Sequence, residues 1–443
     1  MPLKERLFRP VDNSPLVFFR IAFGFLLVAE AWGAIAVGWV KEVFIDPQYF
    51  FTFIGFSWLE TLAGNTMYFY FFAMGAAGVM VMLGLYYRLS MAMYAILWAG
   101  SYFFHKEAYN NHHYLMVILT ALMVFVPANQ YASLDVKRNP KIKSLTCPQW
   151  CIWIFASLMA VVYFYASVAK LYPDWLNAEP ISIWFEAKKN YWLIGPLLTK
   201  SWFHYFISWG GILFDFFIVP ALIWKKTRKY AFMVSLFFHL FNSAIFQIGV
   251  FPYLAIAIEV FFIEPDLIRR LFFKNKPPIS KEHLKRDTYK VNNAVLVVLG
   301  LFLTIQVLLP LRHWLYQGNV HWTEEGHRLS WHMMLRSKNG YVSMKVVDND
   351  SGQSWFIKSS DYLTSKQSRA IAVHPDMLWQ FVQILKNDFR SQGHDNVSIF
   401  AIGKARLNKS DYQELYDPSY DLASVEWQPF EHSEWLLPLA ERE

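Results

Sequence analysis

Cysteine is almost absent from this sequence. Its only two cysteines, Cys147 and Cys151, exclude a disulfide framework and the spaced cysteine and histidine pattern of a zinc site. Charged residues are also few, at 17% of the chain, whereas soluble domains carry roughly 25%. This composition argues against a soluble protein.

Familiar catalytic and binding motifs are missing as well. The chain has no glycine-rich phosphate loop, no His-Glu-x-x-His and no Gly-x-Ser-x-Gly. The net charge of +7 could indicate nucleic-acid binding, but basic residues in a membrane chain report topology first, so we expect no nucleic-acid partner. We also expect no metal site, because the adjacent His112 and His113 would face different directions on a helix.

Hydrophobic residues, in contrast, are abundant and occur in long runs. They make up 55% of the chain, and several runs approach the roughly 20 residues that a membrane-spanning helix needs. Within "GVFPY", Pro252 favours a turn or kink between two of them. We predict an all-α polytopic membrane bundle of about nine transmembrane helices. The apolar segments lie at about 15–40, 66–86, 89–105, 114–128, 151–169, 203–224, 230–248, 250–263 and 293–312.

Basic residues predict the orientation of this bundle. Nine spans with a cytoplasmic N-terminus place far more lysines and arginines in the cytoplasmic segments than in the outside connections between spans, many of them in a polar loop at 264–290. The first apolar run is longer than the ~7–15 residues of a signal peptide core, so we interpret it as a retained span. The extracytoplasmic segments are then 41–65, which we expect to lie in the interface, 106–113, 170–202 and the tail.

The composition of the tail is that of a soluble domain. "RLSWHMMLRS" and "GYVSMKVVD" predict two strands joined in a hairpin around Asn339-Gly340. "HPDMLWQFVQILKNDFRSQG" has apolar residues at helical spacing and precedes another predicted strand, "NVSIFAIG". We therefore predict a transmembrane helical domain at 1–313 and a small extracytoplasmic, β-rich α+β domain at 314–443.

Lys170 ends an apolar run that begins at Cys151 and contains no other charged residue. One interpretation is a snorkelling lysine whose amine reaches the lipid headgroups. The other is a desolvated amine, whose neutral form is favoured by burial and can act as a base near neutral pH. Its neighbours Tyr165, Leu171 and Tyr172 offer no charge, but the residues alone leave both interpretations open.

Two polar clusters interrupt the apolar helices. "HKEAYNNHHYLM" places Asn110 to His113 at the mouth of a helix, where an asparagine usually acts as an N-cap. "FFHLFNSAIFQIGVFPY" carries His239 and Asn242 on one helical face, which marks either a functional bundle interior or a structural hydrogen bond between helices. Other ionisable groups in the apolar runs, some of which we expect to pair, are Arg20, Glu30, Asp215 and Glu259.

Four motifs in this order resemble a known family. They are "YNNHHYL" at 109–115, "SVAKLYPDW" at 167–175, "FNSAIFQIGVFPY" at 241–253 and "QGNVHWTEEGHRLSWHMMLRS" at 317–337. Together they resemble the vitamin K-dependent gamma-glutamyl carboxylase family, which has a horizontally transferred transmembrane domain. The length of this chain is similar to that of a shortened bacterial homologue.

The resemblance implies an enzyme and its functional residues. The family oxygenates reduced vitamin K to the epoxide and couples this to proton abstraction from a peptide glutamate, which takes up carbon dioxide. By resemblance, Lys170 is the base that deprotonates the hydroquinone, and His112 assists catalysis. The implied cofactor-binding residues are His239, Asn242, Asn111 and Tyr165. The implied substrate-binding residues are Trp322, Thr323, Trp331, Met333 and Met334.

These inferences define one expected function and its alternatives. We expect a multi-pass enzyme of a bacterial inner membrane, or of the endoplasmic reticulum in a eukaryote. Its expected partners are membrane lipid, a vitamin K-type quinol and a glutamate-containing peptide. Oxygen and carbon dioxide are the expected co-substrates. One alternative is a quinol epoxidase without carboxylation. Another is a non-catalytic protein that binds lipid or quinone or conducts protons. Proton conduction predicts polar residues through the whole membrane thickness. Lys170 and the Asn/His cluster, however, lie towards one face of the membrane.

Overall fold

The computed structural model describes residues 2–280 and 288–440. Part of the predicted basic loop at 264–290, namely 281–287 with Lys281, Lys285 and Arg286, lies outside the described residues. The longer helices are α1 Ser14–Ala36, α2 Thr66–Leu83, α3 Tyr87–Phe104, α4 Asn111–Phe125, α5 Trp150–Val168, α6 Ser201–Ile223, α7 Arg228–Phe246, α8 Phe251–Ile258, α9 Pro265–Phe272, α10 Asn293–Leu308, α11 Ser365–Ile371 and α12 Pro375–Ser391.

Each of the nine predicted apolar segments lies on a helix. Among the described residues, six helices are long and apolar enough to cross a membrane: α1, α2, α5, α6, α7, and α10 with its continuation to Leu315. The apolar helices α4 and α8 are shorter, the latter even when counted to Phe262, and α3 is made less apolar by Arg88 and its tyrosines. The chain is a multi-pass membrane protein, while the count of nine spans stays a prediction.

Helices α1 and α2 pack closely because glycines lie between them. A methyl group at Gly24 would lie 2.6 Å from the backbone nitrogen of Met82, and one at Gly78 would lie 3.0 Å from the side chain of Val28. Small residues of this kind allow two membrane helices to approach each other. The pair forms the wall of the bundle that carries Glu30.

The break predicted near Pro252 is confirmed. Helix α7 ends at Phe246, and the backbone then turns through Gln247 and Gly249, which have φ of 52° and 61°. Helix α8 begins at Phe251, with Pro252 in its first turn, where the missing N–H of proline is tolerated. Because α7 and α8 are separate helices, Phe251 lies beside the start of α4.

The tail is a three-stranded antiparallel sheet covered by helices. Strands β1 Pro10–Asp12 and β2 Thr146–Pro148 form a small pair in the transmembrane region, and the tail contains β3 Lys338–Asp348, β4 Ser354–Lys358 and β5 Val397–Leu407 in the order β4-β3-β5. Val346, Phe381 and Ile399 are fully buried between this sheet and α12. The predicted tail helix and the strand that follows it are confirmed, whereas the domain boundary at 313/314 remains a prediction.

The predicted hairpin at Asn339-Gly340 is wrong. Both residues lie inside β3, and the described backbone of 328–337 contains no strand. A methyl group at Gly340 would lie 3.0 Å from the carbonyl oxygen of Ala372, so close packing rather than a turn requires glycine there. Positive φ angles, which prevent an extended strand, occur at Leu329, Trp331 and Met334.

In the described part of the chain, the tail contacts the bundle at one end. All three inter-helix segments predicted to be extracytoplasmic contribute. The contacts are Gln380 Nε2 to Thr52 O at 3.0 Å, Lys106 Nζ to Asp376 Oδ2 at 2.7 Å, and Asn408 Nδ2 to Asp174 Oδ2 at 2.7 Å. The tail therefore covers the end of the bundle that carries Lys170 and the start of α4.

Candidate active site

Lys170 follows the end of α5 and points into the protein. Its side chain is buried, with the residue only 8% exposed. Its Nζ atom lies 2.7 Å from Asp215 Oδ2 on α6 and donates a hydrogen bond of 2.9 Å to the carbonyl oxygen of Ala166. Gly211, one turn before Asp215, lies beside the lysine stem, since a methyl group there would be 3.9 Å from Lys170 Cε. The amine therefore points to Asp215 and away from the lipid headgroups, and the snorkelling interpretation is wrong.

The expectation that no charged group lies next to the Lys170 amine is wrong, because Asp215 pairs with it. Asp215 is itself only 6% exposed, and removing two opposite charges from water is tolerated when they face each other. The sequence identified Asp215 as an ionisable group within an apolar run, but the two residues are 45 positions apart. Only the packing of α5 against α6 brings them together.

Tyr172, two residues after Lys170, packs against aromatic side chains of the tail. The hydroxyl of Tyr172 donates a hydrogen bond to the carbonyl oxygen of Leu335, and its ring lies 4.4 Å from that of His321. The His321 ring is in turn 5.4 Å from that of His332. Burial, together with positive charges that include that of Lys170, lowers the pKa of His332 to about 3, so this imidazole is neutral at pH 7.

The asparagines before α4 have different roles. Asn110 is the N-cap, since its side chain accepts a hydrogen bond of 2.8 Å from the backbone N–H of His113. Asn111 Nδ2 donates one of 2.9 Å to the carbonyl oxygen of His332, and so joins the bundle to the tail. The capping interpretation is therefore confirmed for Asn110, and Asn111 makes the longer-range contact.

The two histidines after them face different directions, as their adjacency predicts. The ring of His112 stacks on Phe251 with 3.8 Å between centroids. His113 turns towards α1, where its Nε2 atom is 3.4 Å from Glu30 Oε1. His112 is therefore the histidine that faces the turn between α7 and α8.

Two cavities meet at His112. The first, which we call the apolar cavity, has a volume of about 690 Å³ and lies between α1, the start of α4 and the α7–α8 turn. The second, the polar cavity, has a volume of about 340 Å³ and lies between the start of α4 and the segment 324–338. Asn110, His112 and Met334 line both cavities. A group bound in one cavity would therefore lie next to a group bound in the other.

Charged side chains surround the polar cavity. Arg336 Nε lies 2.6 Å from Glu324 Oε1, and Lys338 Nζ lies 3.7 Å from the same oxygen. Burial alone would raise the pKa of Glu324, but the charges of Arg336 and Lys338 hold it below its usual value. Burial lowers the pKa of Lys338 to about 7 and raises that of Glu107 to about 7. Groups that titrate near neutral pH are typical of functional sites.

Glu324 also belongs to a group that could ligate a metal ion. Its carboxylate and the rings of His327 and His374 offer atoms within 4.8 Å of one another, and burial lowers the pKa of both histidines, so they are neutral ligands at pH 7. The Arg336 guanidinium, however, already binds the carboxylate of Glu324. This cationic surrounding disfavours a divalent ion, and we assign no metal to the group.

The residues expected to bind the cofactor are only partly brought together. His239 Nε2 is 2.9 Å from the hydroxyl of Tyr163, a hydrogen bond between α7 and α5 that confirms the structural alternative for this residue. Phe251 lies between His239 and the apolar cavity. Tyr165 donates to the carbonyl oxygen of Val307 at 2.5 Å. Asn242, Tyr165 and Lys170 are not among the described residues that line either cavity.

The residues expected to bind the substrate also divide into two groups. Met333 and Met334 line the polar cavity. Trp331 is buried against Tyr114, 5.0 Å between ring centroids, while the Trp322 indole donates to the carbonyl oxygen of Leu437 at 2.8 Å inside the tail. Thr323 follows Trp322 and is buried as well. The two tryptophans therefore contribute packing around the site.

Sequence reasoning missed most of the charged residues of the polar cavity. Glu324, His327, Arg328 and Arg336 lie within the motif at 317–337, whose density of histidine and arginine was the available signal. The strand prediction for 328–337 obscured it, because alternation would have sent these side chains to two opposite faces. Lys106 lies in the polar cluster "HKEAYNNHHYLM", although its place in the cavity was not predicted, and His374 comes from a distant part of the chain without such a signal.

Comparisons with known proteins cover nearly the whole chain. A family model described as the HTTM domain matches residues 8–267. A second, described as the vitamin K-dependent gamma-carboxylase lumenal domain, matches residues 291–442. No solved structure matches the chain. The matched regions contain the bundle, the tail and all residues of the two cavities, and on this evidence the chain belongs to the vitamin K-dependent gamma-carboxylase family.

Proposed function

We propose that the protein oxygenates a reduced vitamin K-type quinol to its epoxide and couples this reaction to carboxylation of a peptide glutamate. Oxygen and carbon dioxide are the co-substrates. The observation that carries the proposal is that an apolar cavity and a polar cavity share the wall formed by Asn110, His112 and Met334. The coupled reaction needs an apolar quinol next to a charged glutamate. An apolar cavity beside a polar cavity suits both.

The apolar cavity fits the quinol. Its volume of about 690 Å³ lies within the ~300–1,000 Å³ usual for sites of small molecules. Membrane helices supply its apolar lining, including Met116 and Leu254, so an isoprenoid chain could extend from it into lipid. Glu30, His112 and His113 are the polar groups that could orient the quinol ring. Oxygenation of the bound quinol would supply the driving force for removing a weakly acidic γ-proton of glutamate.

Lys170 is the proposed base, and Asp215 makes that role chemically reasonable. Transfer of the ammonium proton to Asp215 cancels two buried charges and leaves a neutral amine, which can then accept a phenolic proton. We propose that His332, a neutral imidazole that lines the polar cavity and senses the charge of Lys170, accepts a proton at one nitrogen from a quinol ring at the wall shared by the two cavities and donates one from the other nitrogen towards Lys170. The burial of Lys170 and Asp215 keeps water from the amine.

The polar cavity supports two outcomes for the second half of the reaction. Its lining includes Lys106, Arg328, Arg336 and Lys338, which suit the carboxylate of a substrate glutamate. Yet Arg336 and Lys338 already bind Glu324, and Lys106 and Arg328 already bind Asp376. Two carboxylates paired with four cations leave the cavity positively charged, which suits the substrate carboxylate, while the partial neutralisation is the observation that supports the alternative function, quinol epoxidation without carboxylation.

The proposed topology follows the same logic. We propose nine spans, a cytoplasmic N-terminus, and a division into a transmembrane domain at 1–313 and an extracytoplasmic domain at 314–443. The segments that would lie outside are those that contact the tail, at Thr52, Lys106 and Asp174. A peptide would then reach the polar cavity from the extracytoplasmic side.

A paired product assay tests the function. Purified protein in lipid nanodiscs receives reduced vitamin K, oxygen, labelled bicarbonate and a glutamate-containing peptide, and both epoxide and peptide-bound label are measured. Epoxide together with label supports the coupled reaction. Epoxide without label supports the epoxidase alternative, and formation of neither product would contradict both.

A further inference from the structure

A second apolar recess lies at the end of the bundle away from the tail. It has a volume of about 770 Å³ and is formed by the start of α1, the start of α7, α8 and α9. We call it the basic groove, for reasons given below. Its apolar lining includes Phe18, Phe232, Met233, Tyr253, Leu267 and Leu271. None of these residues belongs to either cavity of the candidate active site.

The apolar surface of the groove is open to the surroundings of the protein. Met233 is 56% exposed and Leu271 is 58% exposed. Helix α9 is amphipathic: Leu267, Ile268, Leu271 and Phe272 face the groove, while Arg269 pairs with Asp266 on its other side. A helix of this type lies in the membrane interface with its apolar side towards the acyl chains. Lipid chains are thus the natural neighbours of the groove.

The rim of the groove is positively charged. Lys225, Arg228 and Lys229 come from the turn between α6 and α7 and from the first residues of α7. One carboxylate, Glu264, lies 3.5 Å from Lys225 and 3.8 Å from Arg228. Lys229 has no ion-pair partner in the described part of the chain. Three cations facing one carboxylate leave the rim with a net positive charge beside an apolar recess.

We propose that the basic groove binds an anionic phospholipid, with the phosphate of its headgroup at Lys225, Arg228 and Lys229 and an acyl chain along α8 and α9. Basic pockets between membrane helices recognise anionic headgroups. Their lysines and arginines attract the phosphate at the membrane surface, while the acyl chain stays in the apolar recess. A neutral quinol would gain nothing from this rim. A second copy of the chain would need an acidic patch to match this rim. The same groove on that copy is positively charged and would not provide one.

Lipid retention tests the proposal without any measurement of turnover. The full chain is reconstituted in equal amounts of phosphatidylglycerol and phosphatidylcholine and released for native mass spectrometry, which counts each bound lipid. We expect wild-type protein to retain phosphatidylglycerol in preference by roughly fivefold or more, since each basic residue near an anionic headgroup contributes about fivefold. The double variant Lys225→Gln/Lys229→Gln should lose most of this preference, and Leu271→Gln should lower retention of both lipids.

A matched control removes the same charge elsewhere at that end of the bundle. Lys137 and Lys141 are exposed and lie outside the groove, so Lys137→Gln/Lys141→Gln should keep the preference. Equal retention of the two lipids by wild-type protein would overturn the proposal, as would equal loss in the two double variants. A protein dimer that retains no lipid would overturn it too, and would point to a second copy of the chain as the occupant. An inactive enzyme with normal lipid preference would contradict only the proposed function.

Discussion

Asp215 is the residue whose charge governs what the Lys170 amine can do. The two side chains are buried together, 2.7 Å apart, so each is the main replacement for the water that the other has lost. As long as Asp215 is ionised, it stabilises the ammonium form. Once it takes a proton, the amine beside it is free to act as a base. In the proposed function, the pair therefore holds the proton that the amine must give up before it can act as a base.

We predict that Asp215→Asn changes the pH dependence of epoxide formation. The asparagine cannot take up the ammonium proton, so the neutral amine no longer forms by transfer within the pair and the pH–rate profile changes. The maximum rate should fall by about tenfold or more, because the base has lost the group that accepts its proton. Initial rates between pH 5.5 and pH 9 measure both effects, with Glu186→Gln, an exposed carboxylate on the same side, as the control. A profile identical to that of wild-type protein would remove Asp215 from the proposal.

Some of these residues could be found from sequence and others could not. Lys170 and His112 stand out because a single charged or aromatic polar group in an apolar run needs an explanation. Asp215 was visible as an ionisable group, but its partner depends on how α5 and α6 pack. The expected roles of Trp322 and Trp331 came from resemblance to a motif, which indicates that a stretch lies near a site without showing which side chains face it.

At the scale of single elements, α12 holds the tail on the bundle through its first turn. Asp376 lies there and binds both Lys106, before α4, and Arg328, in the segment that lines the cavities. Burial alone would raise the pKa of Asp376, but the charges of Arg328 and Lys106 outweigh it and hold the pKa well below the usual 3.8. Three separate parts of the chain therefore meet at one carboxylate.

We predict that Asp376→Asn destabilises the protein in a pH-dependent way. The folded-state pKa is depressed, so the stabilisation is fully present above the pKa of an unfolded aspartate, about 3.9, and is lost as the pH falls below that value. Leaving Lys106 and Arg328 unpaired should cost about 3–5 kcal/mol at pH 7. Thermal unfolding of both proteins between pH 7 and pH 3 measures the difference, which should shrink at the acid end. A difference that stays constant over this range would contradict the assignment.

The packing of α1 on α2 makes a second prediction at this scale. Gly24→Ala should lower the free energy of unfolding by about 1–3 kcal/mol, because the new methyl group would meet the backbone of Met82, which cannot move without moving α2. Gly300→Ala in α10 is the matched control, since no atom lies within 4 Å of its added methyl group and alanine favours a helix. Thermal unfolding in the same detergent compares them. Equal stability of the two variants would show that α1 and α2 do not pack this closely.

Elements were predicted well where one physical signal dominated, and poorly where two competed. The apolar runs gave the helices because length and hydrophobicity agree, and Pro252 marked the break between α7 and α8. Asn339-Gly340 has the composition of a hairpin turn, yet Gly340 serves close packing against Ala372 inside β3. Local turn propensity could not distinguish these uses of glycine.

At the scale of the whole molecule, the two ends of the bundle carry different features. One end of the bundle carries the tail and both cavities of the candidate site. The other carries the basic groove and the β1–β2 pair, which contains the buried Cys147. The excess of lysine and arginine at this second end predicts that it faces the cytoplasm. Quinol and phospholipid would then occupy opposite leaflets of the membrane.

Cysteine labelling tests this orientation. Cys147 and Cys151 are both buried, so the native chain should give little background with a membrane-impermeant maleimide. We predict that Lys358→Cys, on the exposed side of β4, is labelled from outside intact cells. Lys141→Cys, exposed at the other end, should be labelled only after the cells are permeabilised. The reverse pattern would invert the proposed topology.

The central claim is that Lys170 is the base for oxygenation of the quinol, and one measurement tests it most directly. Wild-type protein and Lys170→Ala are supplied with reduced vitamin K and oxygen in nanodiscs, and initial rates of epoxide formation are compared, with Lys188→Ala, a lysine that contacts Tyr191 on the same side, as the control. We predict that Lys170→Ala forms no epoxide above background while Lys188→Ala keeps the wild-type rate. Epoxide formed by Lys170→Ala at the wild-type rate would contradict the account.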